Sequence, residues 1–334
     1  MNNQEKDIFQ IRSTETAERI KTLRASLATQ LSNLPESDAH PSLCIYATGS
    51  LARREATSHS DLDAFFLLSG DEADKPLGRI RDVRILNAVL NAQEEAGFPD
   101  FSNDGAYLKF LYIDNVVKCI GHRDDDYKNA FTARILLLTE SIYLYGEANF
   151  LAFRKSIIDV YFQDYHDHSQ DFRPIFLLND ILRFWRTLCL NYENARHWRE
   201  DEDEIKRAKG HLDNLKLKFS RLNICYSFIC HLLNQGPSLT IDNVIRTAEL
   251  TPFARLGEIE GSDNNLSPLI ARMRYEYSWF LEATDLPRLE ALAWIADQEE
   301  RDKAFARARI FVADMGSLVK IIAEKHDYLR YLIV

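Results

Sequence analysis

Two aspartates and a glycine–serine pair are the residues of this sequence whose types and spacing suit metal and phosphate binding. Gly49-Ser50 follows an apolar run, ten residues intervene, and Asp61 and Asp63 then open a second apolar run. Residues i and i+2 of a strand point to the same side, so both carboxylates project together while Leu62 points into the core. Carboxylate oxygens placed in this way suit Mg²⁺ that also binds substrate phosphates. The segment therefore predicts a site for a metal ion and a nucleoside triphosphate.

Neighbouring residues supply contacts for phosphate. Gly49 has no Cβ, so a phosphate can approach its backbone, and the Ser50 hydroxyl and nearby amides can donate to phosphate oxygens. Arg53 and Arg54 are permanent cations that suit the β- and γ-phosphates. Either arginine has an alternative as a structural ion pair, with Glu55 close by in sequence. The sequence alone leaves phosphate contact and structural pairing open for both.

Together these residues resemble the nucleotidyltransferase superfamily related to DNA polymerase β. The superfamily signature is Gly-Gly or Gly-Ser, a spacer, and two acidic residues that alternate with apolar ones. More closely, Gly49-Ser50-x-x-Arg53-x-Glu55 followed by His59-Ser60-Asp61-Leu62-Asp63 is similar to bacterial uridylyltransferases of nitrogen signalling and allied nucleotidyltransferases. Those proteins have glycine where Ala52 and Arg54 stand, so the turn is predicted to be a helix start rather than a flexible glycine loop.

The resemblance implies an activity and a set of site residues. Asp61 and Asp63 are expected to be catalytic and to bind two Mg²⁺ or Mn²⁺ ions. The site is expected to move a nucleoside monophosphate from a nucleoside triphosphate, ATP by default, to a hydroxyl group, with release of pyrophosphate. The expected nucleotide-binding residues are Gly49, Ser50, Arg53, Arg54 and Ser60.

The superfamily usually adds a third carboxylate on a later strand, and two residues are candidates. Asp114 follows an apolar run that ends at Ile113, and Asp104 precedes that run. Each has a plain structural alternative, because Asp114 can cap a helix and Asp104 can belong to an Asp-Gly turn. The structural interpretation is favoured for each, and the third ligand stays open.

Length and composition bound the remaining possibilities. The chain has 334 residues, 46% of them hydrophobic, which is enough for about two domains with a sizeable core. Its net charge of −10 repels nucleic acid, so a protein or small-molecule acceptor is favoured over RNA, and DNA is not expected. No apolar run is long enough for a signal sequence or a membrane span. Five cysteines without a C-x-x-C pair indicate reduced thiols and a cytoplasmic protein.

The hydrophobic pattern predicts an α+β fold with a small mixed β-sheet and flanking helices, followed by an all-α helical bundle. The predicted catalytic domain is residues 1–128, with an N-terminal helix at residues 4–33, and the helical domain is residues 129–334. Strands are expected at residues 43–47, 64–68 and 107–112. In the second domain, residues 131–145 are predicted as a helix and residues 247–265 as a loop.

A second class of function fits the same motif. A non-catalytic nucleotide-binding module, regulatory or antitoxin-like, would keep the triphosphate site without transferring a nucleotide. The intact pair Asp61 and Asp63 favours the enzyme, whereas Ala52, Arg54 and the open third carboxylate keep the alternative. Both functions predict triphosphate binding, so only a transfer assay separates them.

Overall fold

The chain folds into two compact units, residues 1–160 and 161–334. The computed structural model describes residues 7–36, 41–71, 79–101, 105, 108–167, 172–197, 204–236 and 239–333. The first unit holds a four-stranded mixed sheet with helices, and the described part of the second unit is helical. This confirms the predicted α+β class with a helical C-terminal part. The predicted domain boundary at residue 128 falls inside the first unit and stays a prediction about where catalytic function ends.

The sheet of the first unit has the strand order β3-β2-β1-β4. The strands are β1 (Cys44–Ala47), β2 (Ala64–Leu68), β3 (Phe110–Tyr112) and β4 (Ile142–Tyr145). β1 pairs antiparallel with both β2 and β4, whereas β3 lies parallel to β2 at the edge. Every residue of the two central strands is buried, so helices cover both faces of the sheet.

Seven helices belong to the described part of the first unit. They are α1 (Ile8–Ser32), α2 (Gly49–Arg53), α3 (Arg79–Glu95), α4 (Ile113–Lys118), α5 (Arg123–Tyr127), α6 (Ala130–Thr139) and α7 (Glu147–Tyr161). α1 and α3 bury Leu23, Leu27 and Val89 against one face of the sheet. On the other face, the Tyr46 hydroxyl donates to the Ala133 carbonyl of α6 at 2.9 Å. The N-terminal helix predicted at residues 4–33 is therefore a structural layer of the sheet domain.

The predicted helix at residues 131–145 is wrong in its second half. α6 ends at Thr139, and residues 142–145 form β4, where Tyr143 pairs with Tyr46 and Ile142 with Ala47. The apolar run has no clear period, and its aromatic and β-branched residues are strong strand formers once an open strand edge is available. Sheet pairing, which the local sequence does not show, decides the outcome here.

The second unit is built from helices around an aromatic core. Its helices are α8 (Ile175–His197), α9 (Glu204–Lys216), a π-helix (Leu217–Arg221), α10 (Leu222–Asn234), α11 (Ile241–Glu249), α12 (Pro252–Ser262), α13 (Ser267–Ala283), α14 (Arg288–Ala296), α15 (Gln298–Lys325) and α16 (Leu329–Ile333), with 3₁₀ turns at Tyr165–Asp167 and Asn264–Leu266. Phe219 in the π-helix stacks on Phe280 with ring centroids 4.7 Å apart. Among the described helices, none combines the length and apolar character needed to cross a membrane.

The loop predicted at residues 247–265 is instead largely helix α12. Thr251 accepts a hydrogen bond from the Ala254 amide at 3.3 Å, and Pro252 occupies the first helical position. A threonine cap followed by proline is a helix start signal, which accounts for the helix in place of the predicted loop. Arg255 is almost fully buried and donates to the Thr247 carbonyl at 2.9 Å, which holds α12 in the bundle.

The stability of the second unit is expected to fall in mild acid because of a buried histidine. His231 Nδ1 lies 2.9 Å from Thr247 Oγ1 and Nε2 lies 3.0 Å from Glu258 Oε2. Burial lowers the pKa of His231, against an opposing effect of the Glu258 hydrogen bond. The unfolded chain then takes up the proton first, so the free energy of unfolding decreases as the pH falls below about 6.5. Urea unfolding of the wild type and His231→Gln at pH 7.5 and 5.5 measures this.

The variant should lose less stability than the wild type between those two pH values. The loss of unfolding free energy in the wild type should exceed that in the variant by at most about 1.4 kcal/mol per pH unit, the value for uptake of one proton. Burial also lowers the pKa of His211 and His326, so some pH dependence is expected to remain in the variant. Equal pH dependence in both proteins would show that His231 does not contribute.

Candidate active site

The antiparallel pairing of β1 and β2 brings the glycine–serine pair to the two aspartates. Ala47 at the end of β1 pairs with Ala64 at the start of β2, and the Thr48 amide donates to the Asp63 carbonyl at 2.9 Å. Asp61 and Asp63 come just before β2 rather than inside it, yet the expected alternation holds. Asp61 is exposed, Leu62 is 1% exposed and Asp63 is half-buried.

Gly49 lies directly against the carboxylate of Asp63. Its φ of +69° is in the left-handed region, which favours glycine, and a Cβ built on it would come within 3.1 Å of Asp63 Oδ2. Ser50 follows and is half-buried in the short helix α2. The backbone at the start of α2 and one carboxylate oxygen therefore border the same space, which any side chain at position 49 would partly fill.

Arg53 forms structural ion pairs with two glutamates. Its Nε donates to Glu55 Oε2 at 2.6 Å, and its Nη1 donates to Glu140 Oε1. The side chains of Arg53, Glu55 and Glu140 are 10%, 6% and 0% exposed. This cluster joins the end of α2 to the end of α6, so Arg53 forms the ion pairs of the structural alternative, and a phosphate contact of Arg53 stays a prediction.

Arg54 has a different electrostatic environment from that of Arg53. It ends α2 with a φ of +63°, and no carboxylate of the described residues forms an ion pair with it. Burial lowers the pKa of Arg54, and the positive charge of Arg24 lowers it further. Arg24 stacks on the Tyr143 ring at 3.6 Å and donates to the Tyr143 carbonyl at 2.8 Å. Two half-buried cations therefore lie near each other, an arrangement that favours an anion.

Helix α1 holds the ten-residue spacer between the two halves of the motif. Thr16 is fully buried and its Oγ1 accepts a hydrogen bond from the Ala56 amide at 2.9 Å. Arg19 donates to the Thr57 carbonyl, and the Thr57 amide donates to Ser60 Oγ at 3.0 Å. The Ser60 hydroxyl thus stabilises the turn that precedes Asp61.

Sequence reasoning missed the contributions of α1. Thr16 lies four residues before Ile20 on the buried stripe of the helix, so a polar residue at an apolar position was a visible signal. Arg24 and Glu140 gave no comparable signal, because their partners are distant in sequence.

The third carboxylate is not found at Asp114. The Asp114 amide donates to the Gly70 carbonyl at 3.2 Å, beyond the end of β2 that is opposite to Asp63. At roughly 3.3 Å per residue, the length of β2 separates the two aspartates by about 15 Å or more. Asp114 lies in the first turn of α4, although Tyr112 rather than Asp114 is the N-cap. Asp104 lies outside the described residues.

The donor set fits a magnesium ion that shares its coordination with substrate. Within the described residues, no group of three or more acidic, histidine or cysteine side chains could hold a metal ion. Mg²⁺ is commonly bound by one or two carboxylates, with the remaining positions filled by water and phosphate oxygens. Asp61 and Asp63 on one side of the chain, with the open space at Gly49, supply that arrangement.

The contact between Gly49 and Asp63 leads to a test with a matched control. Gly49 and Gly97 share a φ of +69°, but a Cβ at Gly97 would meet nothing within 4 Å. Gly49→Ala and Gly97→Ala should each lose about 1–2 kcal/mol of stability because of the left-handed backbone. Only Gly49→Ala should also weaken Mn²⁺ binding by about tenfold, because it displaces the Asp63 carboxylate that is predicted to hold the metal. Calorimetric titration with Mn²⁺ and urea unfolding test both effects, and equal Mn²⁺ affinity in the two variants would contradict the role of Gly49.

Comparison with known proteins supports this assignment at the level of a general class. Residues 8–104 match a family model described as putative nucleotidyltransferase DUF294. The match covers less than half of the chain but includes α1, α2, β1, β2 and both aspartates. It supports a nucleotidyltransferase-type domain in the first unit. No curated protein and no solved structure matches the chain.

Proposed function

We propose that the protein is a metal-dependent nucleotidyltransferase that moves a nucleoside monophosphate from a nucleoside triphosphate to a hydroxyl of an acceptor. ATP is the default donor, and a relationship to the uridylyltransferases of nitrogen signalling belongs to the same proposal. A protein or small molecule is favoured as acceptor over RNA because of the net charge of −10. The five cysteines are free thiols, which is consistent with a reducing, cytoplasmic location.

One observation carries the proposal. The pairing of β1 with β2 places the bare backbone of Gly49 beside Asp63. A triphosphate bound at the Gly49 backbone would therefore lie next to a metal ion held by the Asp63 carboxylate. An Asp-x-Asp sequence alone is common at strand ends. The additional glycine–serine turn, held against it by strand pairing, separates this site from a simple strand end.

The reaction forms one bond and breaks another. The acceptor oxygen bonds to the α-phosphorus, the bond from the α-phosphorus to the bridging oxygen of the β-phosphate breaks, and pyrophosphate leaves. The hydroxyl proton passes to water. Asp61 and Asp63 would hold Mg²⁺, which, when bound, lowers the pKa of the acceptor hydroxyl and neutralises charge on the phosphates. Arg54 would bind the departing phosphates as a fixed cation, while Arg53 keeps α2 in place through Glu55 and Glu140.

A transfer assay tests the proposed activity. Purified protein is incubated with each α-³²P-labelled nucleoside triphosphate, Mg²⁺ or Mn²⁺, and a cell lysate fractionated into protein, RNA and small molecules. We expect label in the protein or small-molecule fraction, with one pyrophosphate released per label transferred. Label in RNA would contradict the expected acceptor class, and the absence of transfer from every donor would contradict the transferase.

The structure also offers support for the alternative of a non-catalytic nucleotide-binding module. Arg53 is engaged in a structural cluster, and the described residues contain two rather than three candidate metal carboxylates. Such a module would bind a triphosphate with Mg²⁺ and release no pyrophosphate. The same assay, combined with nucleotide binding, distinguishes it from the enzyme.

A further inference from the structure

A cavity of about 720 Å³ lies in the first unit beside the edge strand β3. Its walls come from Phe65 of β2, from β3, and from α4, α5 and the start of α6. Sites for small molecules usually have volumes of roughly 300–1,000 Å³ and combine an apolar surface with a few polar groups. The cavity has the size and composition of a small-molecule site, and neither the motif nor the family match assigns it.

The cavity and the two aspartates are on the same face of the sheet. Phe65 stacks on Tyr46, whose hydroxyl bonds to α6, whereas the Phe66 ring contacts Phe110 and lies in the core cluster on the other face. Asp63 is two residues before Phe65 and therefore points to the face of Phe65. Two residues of extended chain span about 7 Å. Asp63 itself does not line the cavity, but the cavity wall at Phe65 begins two residues along the chain from it.

The charged groups that line the cavity are mainly cationic. Three lysines and one aspartate line it, namely Lys109, Lys118, Lys128 and Asp124. Lys118 also pairs with Asp71 at 2.7 Å. Lys109 is exposed, precedes β3 at the Asp63 end of the sheet, and forms no ion pair with a described acidic residue. Since Asp71 pairs with Lys118 and Asp124 offsets a further positive charge, Lys109 is the cation of this lining that is placed to attract an anion.

We propose that this cavity seats the acceptor, and that the acceptor is a small phosphate-bearing molecule with a free hydroxyl. The inference rests on the proposed function, because an acceptor exists only if the site transfers a nucleotide. The phosphate of the acceptor lies among the lysines, and its hydroxyl points toward Asp63. There the hydroxyl oxygen bonds to the α-phosphorus of the donor, pyrophosphate leaves, and the proton passes to water. The same charges disfavour a cationic acceptor.

Calorimetric titration with ribose 5-phosphate and with ribose tests the cavity without requiring activity. The titrations are done in EDTA, so that metal-dependent binding at Asp61 and Asp63 does not contribute. Lys109→Glu is compared with Lys21→Glu, which makes the same charge change at an exposed position of α1. We expect ribose 5-phosphate to bind at least tenfold more tightly than ribose. Lys109→Glu should lose at least tenfold of that affinity, whereas Lys21→Glu should keep it.

Several results would overturn the inference. Equal binding of ribose and ribose 5-phosphate, or equal losses in Lys109→Glu and Lys21→Glu, would show that the cavity does not select an anion. A second titration uses α,β-methylene-ATP with Mg²⁺. A tenfold loss in Lys109→Glu in this titration would place the donor, not the acceptor, in the cavity. Ribose 5-phosphate binding as expected, together with no transfer from any triphosphate, would refute the proposed enzyme and leave an anion site.

Discussion

Replacing Asp63 by asparagine should reduce nucleotide transfer by about 10³-fold or more and leave the fold intact. Substituting residues that only orient a metal ligand typically costs 10–100-fold, so removal of a ligand charge itself should cost more. Asparagine has the same shape as aspartate, and Asp63 lies half-exposed at the end of the sheet rather than in its core. The same loss is expected for Asp61→Asn. Initial rates with an α-³²P-labelled donor and thermal unfolding curves measure the two effects.

Asp114 provides the matched control for this experiment. It lies in the same unit beyond the far end of β2, and its amide is bonded to Gly70. Asp114→Asn removes one carboxylate from the first unit, as Asp63→Asn does, but should change the rate by less than about twofold, because Asp114 is separated from Asp63 by the length of β2 and does not line the cavity. A loss in Asp114→Asn as large as that in Asp63→Asn would mean that the two aspartates share a site, which contradicts the strand register.

The features of the site that could be predicted from the sequence are those that depend on residues close together in the chain. Strands with alternating or continuous apolar residues flank the motif, so β1 and β2 were predicted to within a residue of their ends. The outward direction of Asp61 and Asp63, and the burial of Leu62 between them, follow from the period of two in extended chain. These features depend on neighbours in sequence, and no tertiary information is needed to read them.

The parts that sequence reasoning could not supply depend on contacts between distant segments. Glu140 is 87 residues away from Arg53, and it completes an ion-pair cluster around that arginine that the local sequence does not show. β4 forms because the edge of β1 is available to pair with it, whereas its own residues also suit a helix. The cavity beside Lys109 is formed by segments that are distant in sequence from Phe65, namely the edge strand β3 and helices α4–α6.

Arg53 and Arg54 are adjacent in sequence and should give opposite results when each is replaced by methionine. Arg53→Met leaves Glu55 and Glu140 buried without their shared cation, and breaking a buried ion pair typically costs about 3–5 kcal/mol. Arg54→Met removes a cation that has no acidic partner among the described residues and lies near Arg24, so stability should change by less than about 0.5 kcal/mol. Urea unfolding should therefore separate the two variants clearly.

The affinity for α,β-methylene-ATP with Mg²⁺ should change in the opposite order, with the larger loss in Arg54→Met and the smaller loss in Arg53→Met. A hydrogen bond between charged groups contributes about 1.5–3 kcal/mol, so Arg54→Met should weaken binding by roughly 10-fold to 100-fold. Arg53→Met, assayed at low temperature where it remains folded, should bind nearly as the wild type does, since its side chain is turned toward Glu55 and Glu140. The double variant Arg53→Met/Glu140→Gln should recover part of the lost stability, because it removes one of the stranded charges. If Arg53→Met instead lost affinity without losing stability, Arg53 would be a phosphate ligand and its ion pairs would be secondary.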